Sequence, residues 1–530
     1  MRIERFAIVL ALFLGGCATV RIQDPEALKS THGYVQAVIA ESWGEPAPTL
    51  ALVSTKDDAV YQLERRRSGP ALLSSWLPAG EYRLMAMRDD TDLPLIYVAP
   101  GRVTDLGGMR SFDIGSYKRV LVQFSHPDFA AVLKAGAEAN KRYLTASEPL
   151  EWRIDRVPKP DSTYSVGESG RLGLVASLLM AYERKVNEPP LSKRMAEATS
   201  VDILLALARN AAVPTRDEPS ADSLGNNYYP GDFGQIRVRS PDGDWTSIDT
   251  GVLQPLTAVA VYDDIRIVGT RYGSILYQLP PFDGPWKPAS SFAENVAVFD
   301  VDRIGNKLYA LALEMGPSQQ TLVGVIQQLN AVGVYTAQLN ELGSYKLLRR
   351  IDCGSVPVHL PMVGVRGEVV GNAYFANTCT DLYRFDVSSD ASASAGPGHV
   401  VSQFSASHEV AGLLTGMKSQ GVFSTLSVSD DYGVTWREMP RPTYSVFNIH
   451  MYSRDSGFAA LWDANAFSVD VEFLKFSAER KEWEKQFEVD SGACRFLVST
   501  RDHRTHLCVT QGGSILRVAG SRLEPEFAVD

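Results

Sequence analysis

From Phe233 onward helical spacing disappears, and short apolar strands recur between polar turns rich in Gly, Asp and Ser. Some turns repeat. Gly269-Thr270-Arg271-Tyr272-Gly273-Ser274-Ile275-Leu276-Tyr277 parallels Val509-Thr510-Gln511-Gly512-Gly513-Ser514-Ile515-Leu516-Arg517. Trp286 and Trp483 each follow an apolar strand and a polar turn, and Ser240-Pro241-Asp242-Gly243-Asp244-Trp245 ends the same way. The units are about 40 to 60 residues long, too small to bury a core alone, so they must stack on one another. This half of the chain is therefore constrained to an array of small antiparallel sheets.

The sharpest unit is Ser429-Asp430-Asp431-Tyr432-Gly433-Val434-Thr435-Trp436. It matches S-x-D-x-G-x-T-W at every defined position and resembles the Asp-box of BNR-type β-propellers, a group that includes sialidases, sortilin-type receptors and photosystem assembly factors. The resemblance implies a hairpin turn in which Ser429, Asp431, Gly433, Thr435 and Trp436 are structural. Asp431 accepts backbone hydrogen bonds, Gly433 takes a strained dihedral and Trp436 packs between blades. It speaks for the fold and not for an activity. Blades parse near 254–290, 294–352, 358–405, 410–442, 445–490 and 493–520. The last shows three strands, and Gly234–Ile248 could supply its fourth. Six blades are expected, with seven as the alternative.

The chain begins Met1-Arg2-Ile3-Glu4-Arg5 and is apolar from Phe6 to Leu14. Nine residues rise only about 14 Å as a helix, less than half of a roughly 30 Å hydrocarbon core, so this reads as a leader. Leu14-Gly15-Gly16-Cys17 resembles the bacterial lipoprotein box. The resemblance implies cleavage after residue 16, lipidation of Cys17 and a tether over 17–31; Ala18 implies sorting to the outer membrane. The expected address is the bacterial envelope, with membrane contact through acyl chains and the body in the periplasm or at the cell surface. The longest later apolar stretch, Leu172 to Tyr182, is too short to span.

Four cysteines remain in an oxidising compartment, Cys353, Cys379, Cys494 and Cys508, and four allow three pairings. Folding the segments around Arg501 as a hairpin sets Cys494 opposite Cys508, which leaves Cys353 for Cys379. No CxxC pair exists, so zinc-ligand spacing is absent.

Between leader and array, residues 32–125 alternate short strands with Gly, Pro and Asp, as a β-sandwich does. Leu77-Pro78-Ala79-Gly80-Glu81-Tyr82 resembles the turn of prealbumin-like and carboxypeptidase-regulatory-like sandwiches, which would return Tyr82 to the core. Residues 126–215 shift to helical spacing, with apolar faces at Leu172, Val175, Leu179, Tyr182 and Val186 and at Val201, Leu204, Leu205 and Ala208. Residues 216–232 read as a linker and 233–530 as the propeller. The fold class is mainly β: an N-terminal sandwich, a helical segment and a C-terminal propeller.

Chemistry is sparse. Asp502-His503-Arg504-Thr505-His506 is expected at a solvated hairpin tip, and His450, in an apolar run, as a satisfied core histidine. Ser388 to Gly398 is low in complexity and reads as a flexible insertion. The arginine-bearing F/Y-R-I-P segment of sialidases is absent, as are phosphate loops, dinucleotide fingerprints and nucleophile elbows. A net charge of -10 opposes phosphate-driven nucleic-acid binding. No catalytic residue, metal or cofactor is expected. The reading is a non-enzymatic protein-binding or scaffolding lipoprotein with an envelope protein as partner; the alternative is a glycan-binding or diverged sialidase-like glycoside hydrolase.

Overall fold

The structure is a computed structural model. It describes residues 29–40, 50–67, 71–87, 90–113, 119–159, 190–217, 219–293, 295–321, 324–359, 364–398, 401–420, 423–442, 446–464, 469–510 and 513–528. Cys17 and the helical face from Leu172 to Val186 lie outside them. The chain divides into two compact units, the second holding everything from Asp202 onward.

The first unit packs two sheets. One has the order Leu150–Glu151, Val103–Asp113, His32–Ala40, Ala71–Pro78, Glu64–Arg67, with Arg119–Gln123 added to Val103–Asp113. The other runs Val60–Gln62, Ala51–Ser54, Gly80–Leu84, Ile96–Val98. The turn at Pro78–Gly80 carries the chain from one sheet to the other, and Tyr82 enters the core, its hydroxyl donating to Pro78 O at 2.7 Å. The first sheet is mixed, because His32–Ala40 pairs in parallel with Val103–Asp113. Its central strand is buried almost throughout. A helix, Pro127–Asn140, covers the outer face, so both sides of that strand are apolar. Gly108 allows the close fit: a Cβ there would lie 1.8 Å from the Phe129 ring. This helix belongs to the first unit, whereas Pro190–Ala196 and nearly all of Val201–Asn210 belong to the second. The span 126–215 is thus divided between the units. Leu204 and Leu205 are the buried face of the last helix.

The second unit is a β-propeller of seven four-stranded antiparallel sheets, over 220–249, 256–291, 296–359, 366–394, 403–439, 446–490 and 496–527. Seven replaces the six-blade parse. Gly234–Ile248 does not complete the last blade. It belongs to a blade of its own, whose inner strand, Ser220–Ala221, comes from the segment read as a linker. That strand and the next, Asn227–Pro230, are two and four residues long and lie among turn-forming residues, so no periodicity revealed them. The last blade finds its fourth strand in its own Arg522–Phe527.

Each junction between consecutive blades has its own apolar core, including that between the last blade and the first. The ring closes by packing, with no strand shared. At the closing seam Tyr229 is fully buried and donates to Ser499 O at 3.0 Å, and Arg501 N donates to Asn227 Oδ1 at 2.7 Å. Arg239 grips Glu526 through two bonds of 2.7 and 3.0 Å, and Trp245 Nε1 adds a third of 3.0 Å. Two disulfides join the expected pairs, Cys353–Cys379 between the third and fourth blades and Cys494–Cys508 within the last.

The low-complexity stretch is ordered. Ser392–Ser394 is the outer strand of the fourth blade, and Ala395 is buried under the next blade. Small side chains suit a strand that must pass beneath Trp436, whose Nε1 donates to Ala395 O at 2.8 Å.

Candidate functional site at the ring centre

The inner strands of the blades, and the turns that follow them, carry a set of chemistry-bearing residues. The second to fourth blades bring Tyr262, then Asp300 and Asp302, then Arg366 and Glu368. The fifth to seventh bring His408, then His450 and Tyr452, then Arg501, His503 and His506.

Glu368 is the pivot. Its side chain is fully buried. Oε2 accepts from Ala406 N at 3.1 Å and lies 3.7 Å from Arg366 Nη2. Oε1 has no hydrogen bond among the described residues and faces His408 Nε2 at 3.5 Å. Burial works to raise this carboxyl, but Arg366, His408 and Arg501 outweigh it and hold it at about 2. Arg501 is held charged against its own burial by Glu368 and Asp302. Asp302 accepts from Tyr262 Oη at 2.8 Å, and Asp300 from Tyr374 Oη at 2.7 Å. The centre thus brings three carboxyl side chains beside two guanidiniums.

The histidines overturn two expectations. The turn after Ser499 is not a solvated tip. Asp502 and Arg504 face outward, but His503 and His506 are buried. The turn folds inward because His503 N bonds Thr500 O at 2.8 Å, Thr500 N bonds Thr505 O at 2.9 Å, and His503 takes a left-handed φ of 56°. His506 is satisfied at both ring nitrogens, by Ser499 Oγ at 2.8 Å and Tyr452 Oη at 2.6 Å, and stacks on Phe458. His450 is not the satisfied core histidine expected: it is 2% exposed, and neither ring nitrogen has a partner among the described residues. It stacks on His503 with centroids 3.7 Å apart. Burial drives the pKa values of His450 and His503 well below the ordinary imidazole range, and that of His506 to about 3. All three are neutral at physiological pH.

The S-x-D-x-G-x-T-W residues singled out in the sequence form a turn of their own. In the Ser429–Trp436 turn, Asp431 Oδ1 accepts from Ser429 Oγ and from Thr435 N, both at 2.8 Å, and Oδ2 accepts from Thr435 Oγ1 at 2.6 Å. Gly433 has φ 79°, and a Cβ there would lie 2.7 Å from Ala395 O. Those carboxylate oxygens are spent on the turn. Sequence reasoning missed Glu368 and His408 altogether. The only available signal was that Glu368, His408 and His450 fall about one blade apart, which becomes visible once the blades are aligned.

A cleft of about 920 Å³ also opens in the first unit beside the helix Pro127–Asn140, lined in part by Asp105, Gln123, His126 and Trp152. There Gln123 binds Leu106 O, Trp152 O and Ile154 N, so its amide is consumed in holding the local chain.

No family model matches the chain, and no curated protein matches it. Among solved structures it is similar to the WD40 β-propeller domain of Doa1, with 12% identity and a TM-score of 0.33 over 59% of this chain and 94% of that one. It is also similar to YCF48 bound to D1 peptide, with 10% identity and a TM-score of 0.35 over 60% and 94%. A third is an oligogalacturonate lyase in complex with manganese, with 8% identity and a TM-score of 0.39 over 57% and 87%.

Proposed function

We propose that this chain is a lipid-anchored protein of the bacterial envelope whose propeller serves as a docking scaffold for another envelope protein. The observation that carries the scaffold reading is an arm on the third blade. Its strands Lys307–Thr321, Gly324–Gln338 and Lys346–His359 have 15, 15 and 14 residues, whereas no strand of another blade exceeds nine. The blade's inner strand pairs only as far as Glu314, so the arm extends from there to Thr321, about 23 Å at roughly 3.3 Å per residue. It stays paired to its end, with Thr321 opposite Gly324. Cys353–Cys379 fastens its third strand to the neighbouring blade. The outer edge of that strand has no sheet partner among the described residues, and Val356 on it is 43% exposed. A rigid, braced edge is suited to strand addition by a partner.

The address is supported by Leu14-Gly15-Gly16-Cys17, by two disulfides of the kind kept in oxidising compartments, and by the lack, among the described residues, of a helix long and apolar enough to cross a membrane. The test is cross-linking in intact envelopes followed by purification. A defined partner is expected with the natural chain and is lost when Val356→Lys charges the arm edge. A Cys17→Ser chain should be unlipidated and leave the membrane fraction. Recovery of no specific partner counts against the scaffold; unchanged fractionation of Cys17→Ser counts against the anchor.

A second reading, glycan binding at the ring mouth, is favoured by the convergence of Glu368 and Asp302 with Arg366 and Arg501. It predicts retention on an acidic-glycan array that Arg501→Gln abolishes.

A further inference from the structure

We propose that Glu368, His408 and His503 form a binding site for one divalent transition-metal ion of the zinc class at the centre of the ring. One oxygen or nitrogen from each lies within 4.8 Å of the others. The best-defined pair, Glu368 Oε1 and His408 Nε2, is 3.5 Å apart. Two ligands each about 2.0–2.1 Å from a tetrahedral ion sit roughly 3.4 Å apart, so this pair already has ligand spacing. His503 completes the set with a small inward movement.

Three further observations point to a cation. Glu368 Oε1 is a buried carboxylate oxygen without a hydrogen bond among the described residues, and leaving such an atom unsatisfied is costly. His450, buried and stacked on His503, has both nitrogens without a partner among the described residues. The left-handed residue at the turn is His503 itself, a conformation that costs energy and delivers its ring to the centre. Arg366 and Arg501 do not block the site. Arg366 approaches Oε2, the oxygen turned away from His408, and the charge of Arg501 is shared among Glu368, Asp302 and Asp300.

The donor set, two imidazoles and one carboxylate, favours zinc, cobalt or nickel over calcium or magnesium, which take oxygen. Three protein ligands leave one position open, and His408, the exposed member, places that position toward solvent. The site therefore suits an exchangeable ligand better than a purely structural ion. It does not depend on the scaffold reading.

The experiment is equilibrium binding of Zn²⁺ alone to the chelator-stripped full chain in detergent, with Co²⁺ substitution followed by visible absorption. One equivalent is expected, with cobalt bands of a nitrogen and oxygen site and no thiolate band. Glu368→Gln and His503→Gln should each weaken binding by more than about 100-fold, beyond the loss seen when only an outer-sphere partner is removed. His32→Gln, in the first unit, should leave it unchanged. Absence of a stoichiometric site, or equal binding by the natural chain and both variants, overturns the proposal. If a variant fails to fold, the cobalt spectrum of the natural chain decides alone, and hexa-aquo-like bands overturn it.

Discussion

Single buried side chains set how this protein responds to acid. The His506 pKa is lowered to about 3, chiefly by burial, with Asp502 acting weakly in the other direction. The folded value lies below the unfolded value near 6.5. The unfolded chain therefore binds the proton first, and stability falls as pH drops from about 6.5 toward 3, at up to about 1.4 kcal/mol per pH unit. Carboxylates held low by their partners, such as Asp90 beside Arg156, add their losses only below about pH 4. Urea midpoints measured from pH 8 to 4 should begin to fall near pH 6.5, well before the carboxylates titrate. His506→Gln, which has no such proton to take up, should make the curve between 6.5 and 5 shallower, while the buried His450 and His503 keep the remainder of the slope. A profile that stays flat to pH 5 in the natural chain would mean that His506 is not held neutral by the fold. None of this was legible in the sequence. A histidine five residues from Arg501 and next to a turn reads as solvated until the turn is seen to fold inward, because burial at a propeller centre depends on residues one or more blades away.

At the scale of elements, the turn Ser429–Trp436 shows the opposite case. Its side-chain hydrogen bonds could be read directly, because they lie within eight residues: Asp431 to Ser429 and Thr435, and Gly433 N to Ser429 Oγ at 2.8 Å. What was not local was also not legible. Trp436 reaches Ala395, and the strand it covers, Ser392–Ser394, was misread as a flexible insertion because Ser and Ala carry no strand signal of their own. Asp431→Ala removes the acceptor of Thr435 N and Thr435 Oγ1, as the loss of a side-chain cap does, and should lower the melting temperature of the second unit. The turn lies away from Glu368, His408 and His503, so Zn²⁺ binding in the folded variant should be unchanged. Thermal unfolding with a parallel zinc titration checks both. A variant that melts as the natural chain does would show that Gly433 and the packing of Trp436 suffice for the turn.

At the scale of the whole molecule, the open question for any ring of blades is what keeps it shut. The repeats made the ring legible, but its closure was assigned to the wrong segment. A strand contributed by Gly234–Ile248 to the last blade would have locked the two ends by hydrogen bonding. Instead the first and last blades are each complete and meet through Tyr229, Val498, Leu507, Val509 and Ile515, with the Arg239–Glu526 pair buried at the seam. The side chains of that pair are 7% and 10% exposed, so the pair is shielded from solvent in a way that exposed ones such as Arg522–Glu524 are not. Removing one partner leaves a buried charge. Glu526→Ala strands Arg239 and deprives Trp245 Nε1 of its acceptor, and should cost roughly 3 kcal/mol, whereas Arg522→Ala should change stability by less than about 0.5 kcal/mol. Because the seam joins blades far apart in sequence, the loss should also appear locally, as faster amide exchange in Asn227–Pro230 and Phe496–Ser499 than in the strands of the fourth and fifth blades. Calorimetry with exchange mapping reads both. If Glu526→Ala costs no more than Arg522→Ala, and exchange rises evenly around the ring, then the apolar junction alone closes the propeller and the buried ion pair only fixes its register.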